Sequence, residues 1–525
     1  MAYTRRNTTD GVTVMNKDLY DNLQDGIENK PFYYDSVADM KADLNLKEGM
    51  KAVTLGYYSP NDGGGATYLI QKTESNYAGI SVKLNSGLYA SILIKKGSYI
   101  NVLKAGVKND GVTPVSDLLN TLLTNLNFNK LYFPSGIYLL DKKLECKGSI
   151  EQSLIGESTQ NENYYNTGRN NNTIFTRTQD YKDSCLVKVS DYTRVSIRNI
   201  MFYGDSYRIS CDDQISTKGN IHNMYSTEIL LSGLSGVIVD GAQSFIDNCF
   251  FEGFSDVGLN LKIYNKVNDC NFKNCRVGLL ASTDNIIGDL IIMSCETGVI
   301  LGAGENEEST SLSKSKGSSN ILSNVRIDGC SEFGVKIYGW NNILTNYLSD
   351  QINYASILLC GSRNCISNAN ISRSAQYTAG NEMPADSPEP EKYCAFYFKG
   401  DCGSNQVDFV IAYMAANDTN NPDSKTPSFA ICSDGYLNNN YISIVTEGEY
   451  FSEISKIIHS KKTVNSVLVS NGIKYELVNY LNNSSYVTNG LSKSKNVRVR
   501  SGLFFEESDG SISVYNKKSD IWTKI

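Results

Sequence analysis

A short pattern that recurs along the chain with cysteines in matching slots restricts the fold more than any other feature. NKVNDCNFKNCRVGLL (265–280) and NILSNVRIDGCSEFGVKI (320–337) both open on Asn, alternate apolar and polar residues, reach Cys and close on Gly followed by an apolar residue. Placing the opening Asn in register gives Asn265, Asn285, Asn320, Asn342, Asn364 and Asn405, with gaps of 20, 35, 22, 22 and 41. Fixed periods near 20 residues mark a solenoid, and the longer gaps read as one coil plus an insertion. An apolar residue follows two places later each time: Val267, Ile287, Leu322, Leu344, Ile366 and Val407. Two further on runs a polar column, Asp269, Asp289, Asn324, Asn346 and Asn368. SFIDNCFFEGFSDVGLNL (244–261) fits as the preceding coil.

The period-2 stretches, Cys270/Phe272, Leu290/Ile292 and Val325/Ile327, are short strands that point alternate residues inward. Cys275, Cys295 and Cys330 then share one column and read as small apolar core residues. Gly258, Gly278, Gly298 and Gly334 are expected at the bend into the next strand. Stacked Asn side chains at coil bends can bond both one another and the neighbouring coil's backbone. Several strands per turn without intervening helices make an all-β chain, a single-stranded parallel β-helix.

Composition excludes other classes. A 525-residue chain exceeds one ordinary compact core, which suits a repeat. With 20% charged residues and a net charge of −7 it offers no nucleic-acid surface. Only two histidines, His222 and His459, stand far apart, which argues against His-based catalysis or a His metal site. The start, MAYTRRNTTDG, lacks a signal-type apolar core and no apolar run reaches 18 residues. The expectation is synthesis in a cytosol and no membrane insertion. Thirteen cysteines without a CxxC pair are expected as buried thiols.

Along the chain, Met15, Leu19, Leu23 and Ile27 form one stripe on an expected helix within 1–30. Residues 31–100 read as a small mixed head, with two strands joined by Asn-Asp-Gly-Gly-Gly in KAVTLGYYSPNDGGGATYLI. The coils are expected over 101–450, opened by an amphipathic helix carrying Leu118, Leu119, Leu122 and Leu126 that covers the first coil's strand edges. Residues 451–525 read as a small terminal β-domain turning at Ser-Asp-Gly.

SVADMKADLNLKEGMKAVTLGYYSPNDGGGATY resembles the head segment of phage tailspikes, and INVLKAGVKNDGVT followed by a helix and KLYFPSGIY resembles the entrance of the pectate-lyase-like β-helix superfamily. After Gly-Val-Thr that superfamily usually carries Asp-Asp or Asn-Thr, where this chain has Pro114, Val115, Ser116 and Asp117. VMNKDLYDNLQDGIE is similar to the N-terminal helix of tail proteins from phages of Gram-positive hosts, and SGLFFEESDG with VYN and IW resembles a tail-fibre ending. The resemblance implies a right-handed helix, a homotrimer, a place in the virion and docking of residues 1–30 on tail, baseplate or collar proteins. It implies recognition of a host cell-surface polysaccharide, capsule or wall teichoic acid, with or without cleavage. A purely structural spike is the reading from a third class.

Counting along the coils places Asp328 and Asp350 in one outward slot of successive turns. Stacked coils lie about 4.8 Å apart, so the two carboxylates are expected roughly 5–7 Å from each other. Two like charges that close raise one pKa, which suits a general acid beside a second carboxylate in glycoside hydrolysis. Glu332, with Glu296, is a further acid on the next bend; Arg373 suits an anionic group. Two interruptions, after Ser374 and after Ala415, fall at the same corner, where Tyr377, Tyr393 and Tyr413 could stack on sugar rings. No cofactor is implied and no metal ligands are assigned, although the acidic stretch 382–391 offers oxygens that would suit Ca²⁺.

Overall fold

The computed structural model describes residues 30–75, 79–95, 97–124, 130–148, 151–159, 172–190, 193–211, 225–302, 318–375, 383, 387–411, 427–446, 457–464, 466–470, 473–477, 480–481, 504–506, 512–516 and 521–524. The expected helix in 1–30 lies outside them, as do Tyr377 and Tyr413.

Two long parallel sheets run the length of the coils. The broader contains Lys266–Lys273, Ile286–Met293, Ile321–Asp328, Ile343–Asp350 and Cys365–Ile371 in that order; the narrower contains Val257–Ile263, Val277–Thr283, Thr297–Leu301, Phe333–Trp340 and Ile357–Ser362. Neighbouring coils pair residue for residue, for example Leu290 with Val325 and Val325 with Tyr347. This is the parallel β-helix expected from the repeat.

The polar column explains how one strand serves two faces. Asp269, Asp289, Asn324, Asn346 and Asn368 all have φ between 50° and 55°. Asx residues tolerate this left-handed conformation, so each broad strand bends at its middle. Their amides form an exposed ladder, Asn346 Nδ2 donating to Asn324 Oδ1 at 2.8 Å and Asn368 Nδ2 to Asn346 Oδ1 at 2.6 Å.

A second ladder is buried. Asn320 Nδ2 donates to Asn342 Oδ1 at 3.0 Å, Asn342 to Asn364 at 3.1 Å, Asn364 to Asn405 at 3.1 Å and Asn405 to Asn440 at 2.9 Å. Each Oδ1 also accepts the backbone N–H of the preceding Asn, so the buried turns leave these donors satisfied. Ser244 and Ser466 stand in the Asn position at the two ends.

Cys275, Cys295 and Cys330 are fully buried free thiols. Burial pushes the Cys330 thiol up to about 12, away from thiolate chemistry. The glycine column differs from expectation. Gly258, Gly278, Gly298 and Gly334 lie within strands or at their second residue, and none has positive φ. The bend is made instead by Gly253, Asn274, Ser294, Gly329, Gln351 and Arg373, all with positive φ. The column is glycine because backbones stack tightly: a Cβ on Gly278 would lie 2.6 Å from the carbonyl oxygen of Gly298. Gly278→Ala is expected to destabilise by about 1–3 kcal/mol, the cost of overpacking, measured as a lowered unfolding midpoint.

Ser116–Leu123 is the expected helix; Leu119, Leu122 and Leu123 are buried and it packs on Leu144–Cys146. Val115 occupies its N-cap and supplies no side-chain cap bond, while Ser116 Oγ and Asn120 Nδ2 tie it to the carbonyls of Lys142 and Lys143. In the head, Lys51–Thr54 pairs antiparallel with Thr67–Gln71 as read. Asp62 organises the turn between them by accepting the N–H groups of Tyr57, Tyr58, Ser59 and Gly64 at 2.7–3.1 Å. Burial works to raise the Asp62 carboxyl, but these four donors hold it below its ordinary value. A depressed carboxyl contributes stability above its unfolded value, near 3.9, that is lost as pH falls through the folded one. Asp62→Asn should therefore flatten the acid limb of the head's thermal stability relative to wild type between about pH 5 and 2.

Parallel coils run beyond residue 450, since Ile431 pairs with Ile458 and Tyr441 with Val467. Ile473–Leu477 then turns antiparallel onto Ser466–Ser470. Phe504–Glu506, Ile512–Asn516 and Ile521–Lys524 form a separate antiparallel sheet, and the Ser-Asp-Gly stretch expected to turn lies outside the described residues.

Candidate functional site

The corner after each broad strand collects the acids, and the bend residues decide which way they face. Val325 and Ile327 are buried in the core, so Asp328 points outward. Asp328 pairs in register with Asp350 on the next coil, as the spacing required. Burial first, and then the neighbouring Asp350 carboxylate, push Asp328 above its ordinary value, while Arg326 and Arg373 offset part of this.

Arg373 has a different task from the one expected. Its Nε donates to Asp350 Oδ1 at 2.7 Å and its Nη2 to Asp350 Oδ2, so the fork lies on both carboxylate oxygens. Its backbone is left-handed, φ 40°, in the column where other coils carry Gly, Asn, Ser or Gln. The guanidinium thus positions Asp350 and is committed within the chain.

Glu332 is not part of that pair. It stacks on Glu296, its N–H donating to the Glu296 carbonyl at 2.9 Å. Burial and then the Glu332 carboxylate raise the Glu296 carboxyl; Arg276, Tyr207 and Lys336 pull the other way. Tyr207 Oη donates to Glu296 Oε2 at 3.2 Å. Lys336 Nζ lies 3.8 Å from Glu332 and 4.6 Å from the centre of the Phe333 ring.

Aromatic rings continue the column. Tyr354 donates its N–H to the Glu332 carbonyl and its ring meets Phe333 edge-on at 5.3 Å. Lys392 Nζ sits 5.1 Å over the Tyr354 ring, and Tyr393 packs half-buried against the same apolar cluster. Two excursions bracket these residues. The antiparallel hairpin of Tyr207–Cys211 and Tyr225–Ile229 leaves just after Asp205, and the segment ending in Pro390–Tyr393 leaves just after Arg373. Both depart from the same positive-φ corner on different coils.

The structure therefore brings Asp328, Asp350 and Arg373 together, places Glu332 with Glu296 across the bend, and sets Tyr393 beside them. Sequence reasoning missed Tyr207, Phe333, Lys336, Tyr354 and Lys392. Tyr354 had a usable signal, being an aromatic in the slot that carries Glu in the two coils above. Tyr207 had none, because the gapped early coils could not be registered. Among the described residues no three His, Cys, Asp or Glu side chains converge as a metal would need, and Asp386 of the acidic stretch lies outside them. No helix among them is long and apolar enough to cross a membrane.

Comparison with known proteins supports the architecture. Residues 99–300 match the family described as rhamnogalacturonase A/epimerase, pectate lyase-like. No curated protein matches the sequence. The enzymatically active domain of tailspike protein 2 from bacteriophage CBA120 is similar in structure, TM-score 0.60 at 11% identity, covering 97% of this chain and 70% of that one. The full-length tailspike protein 2 of the same phage of Escherichia coli O157:H7 gives the same TM-score and identity, and this chain spans 64% of its length. The gp42 tailspike of Acinetobacter phage vb_AbaP_AS12 gives TM-score 0.51 at 11% identity, over 92% of this chain and 86% of that one. The fold is a right-handed parallel β-helix, similar to that of these tailspike structures. None of these comparisons supports a Gram-positive host.

Proposed function

We propose that this chain is a phage tailspike that recognises a host cell-surface polysaccharide during adsorption and hydrolyses it at the Asp328 corner. The observation that carries the reading is the Asp328/Asp350 pair. One carboxyl is raised by burial and by its neighbour, and the other is held in place on both oxygens by Arg373. Two carboxyls whose surroundings differ in this way suit general acid and base roles in glycoside hydrolysis. Asp328 protonates the glycosidic oxygen; Asp350 activates water or attacks the anomeric carbon, according to the carboxyl separation in the complex. Tailspikes of this fold in the structural comparison, one of them named an enzymatically active domain, support the class. A homotrimer, a place on the virion and docking of residues 1–30 on other tail proteins belong to the same proposal.

The test is incubation of the purified protein with capsule and wall glycans of its host, followed by sizing of the fragments. Shortened chains establish a depolymerase. Retention of glycan without shortening makes the protein a receptor-binding spike and removes the catalytic role from the pair. Because Asp328 must be protonated to act as acid, cleavage should fall on the alkaline side as pH rises through its raised value.

A further inference from the structure

The charges at this corner also bear on what kind of glycan it takes, an inference that rests on the proposed function and narrows it. Five basic side chains surround the acids, and each is already within 4 Å of a carboxylate of the chain. Arg276 lies 2.8 Å from Asp256, Lys392 2.8 Å from Glu389, Lys336 3.8 Å from Glu332 and Arg326 3.8 Å from Asp328; Arg373 is forked on Asp350. Lys273 stands two coils up the Asp328 column, about 10 Å away by coil spacing. The Glu296 carboxyl has no basic side chain within ion-pair distance among the described residues and accepts from the Tyr207 hydroxyl.

An anionic sugar, a uronate or a phosphate, would meet the acids Asp328, Glu296 and Glu332 where these five described cations are already paired within the chain, and an anion brought against carboxyl groups is repelled. A neutral sugar meets no such penalty. Its hydroxyl or acetamido N–H groups can donate to Glu296 and Glu332 beside the half-buried Tyr354, whose N–H is bonded to the Glu332 carbonyl. We infer that the corner formed by Asp328, Glu296, Glu332 and Tyr354 selects uncharged glycan units and discriminates against polyanionic chains such as uronate polymers and glycerol-phosphate teichoic acid.

The experiment uses the whole chain carrying Asp328→Asn, so that a cleavable polymer persists. Electrophoretic retardation is measured in gels cast with neutral capsular polysaccharides, a uronate-bearing polysaccharide or glycerol-phosphate teichoic acid, at low and high salt. The expected result is retardation by a neutral polymer at a concentration at least about tenfold lower than by either polyanion, unchanged by salt. Adding Glu296→Gln and Glu332→Gln, which keep side-chain shape, should raise polyanion affinity several-fold, and the unfolding midpoints identify any variant that fails to fold. Preferential, salt-sensitive retardation by a polyanion overturns the inference and leaves the glycan-binding function standing. Equal affinity for polyanions before and after the double change also overturns it. Failure of every polymer to bind overturns the proposed function and the inference with it.

Discussion

Asp328→Asn is expected to lower the rate of glycan shortening by about 10²–10⁴-fold while glycan binding persists, the range typical of removing a positioned general acid. The amide keeps the shape and the outward aim but has no proton acidic enough to transfer to a leaving oxygen. Asp350→Asn should cost a comparable factor for another reason. Arg373 would lose one of its two acceptor oxygens, and the carboxylate that orients water or attacks carbon would be gone. Paired substitution should cost less than the product of the single losses, since the residues act as a unit. The measurement is initial rate by fragment sizing, with binding followed separately. Full rates in both variants would retain the enzyme but move its chemistry off this pair, with Glu296 and Glu332 next in line.

The second large effect lies in the buried ladder. In Asn342→Ala, the Asn320 N–H loses its acceptor at 3.1 Å and the Tyr338 carbonyl loses a donor at 3.1 Å, both out of reach of water. Each of the two buried groups left unpaired costs about 1–3 kcal/mol, so a loss of roughly 2–6 kcal/mol is expected. The exposed ladder supplies the control. Asn346→Gly loses its 2.8 Å bond to Asn324 and the 2.6 Å bond it accepts from Asn368 where water can replace both, and Gly accepts φ 53° without strain, so its effect should stay within about 0.5 kcal/mol. Thermal or denaturant unfolding of the two variants side by side distinguishes them. Equal effects would mean that the buried column contributes no more than an exposed one.

Much of the coil is legible in the sequence alone, for a definite reason. A parallel helix forces equivalent residues of successive turns into contact, so any chemistry useful at one position repeats at a fixed period. The Asn265–Asn405 column, the thiols at Cys275, Cys295 and Cys330, and the stacked Asp328 and Asp350 all follow from that constraint. The Asx column was visible, although its left-handed conformation was not. The glycine column was assigned to the wrong cause, because sequence does not distinguish a residue that must turn from one that must let backbones approach.

What only the tertiary structure decided concerns contacts between positions of unequal coil number. Arg373 was legible as a cation near the acids, but its guanidinium reaches back one coil and closes on Asp350 rather than facing outward. Tyr207 meets Glu296 because a hairpin inserted in an early coil folds along the stack, a distance of 89 residues that no period encodes. Glu332 divides from Asp328 because the three residues between them contain the bend at Gly329, which sends one acid to the end of the broad strand and the other to the start of the narrow one. Periodicity thus determined the scaffold and which residues stack. Side-chain length and insertion geometry, which obey no period, decided which of them meet.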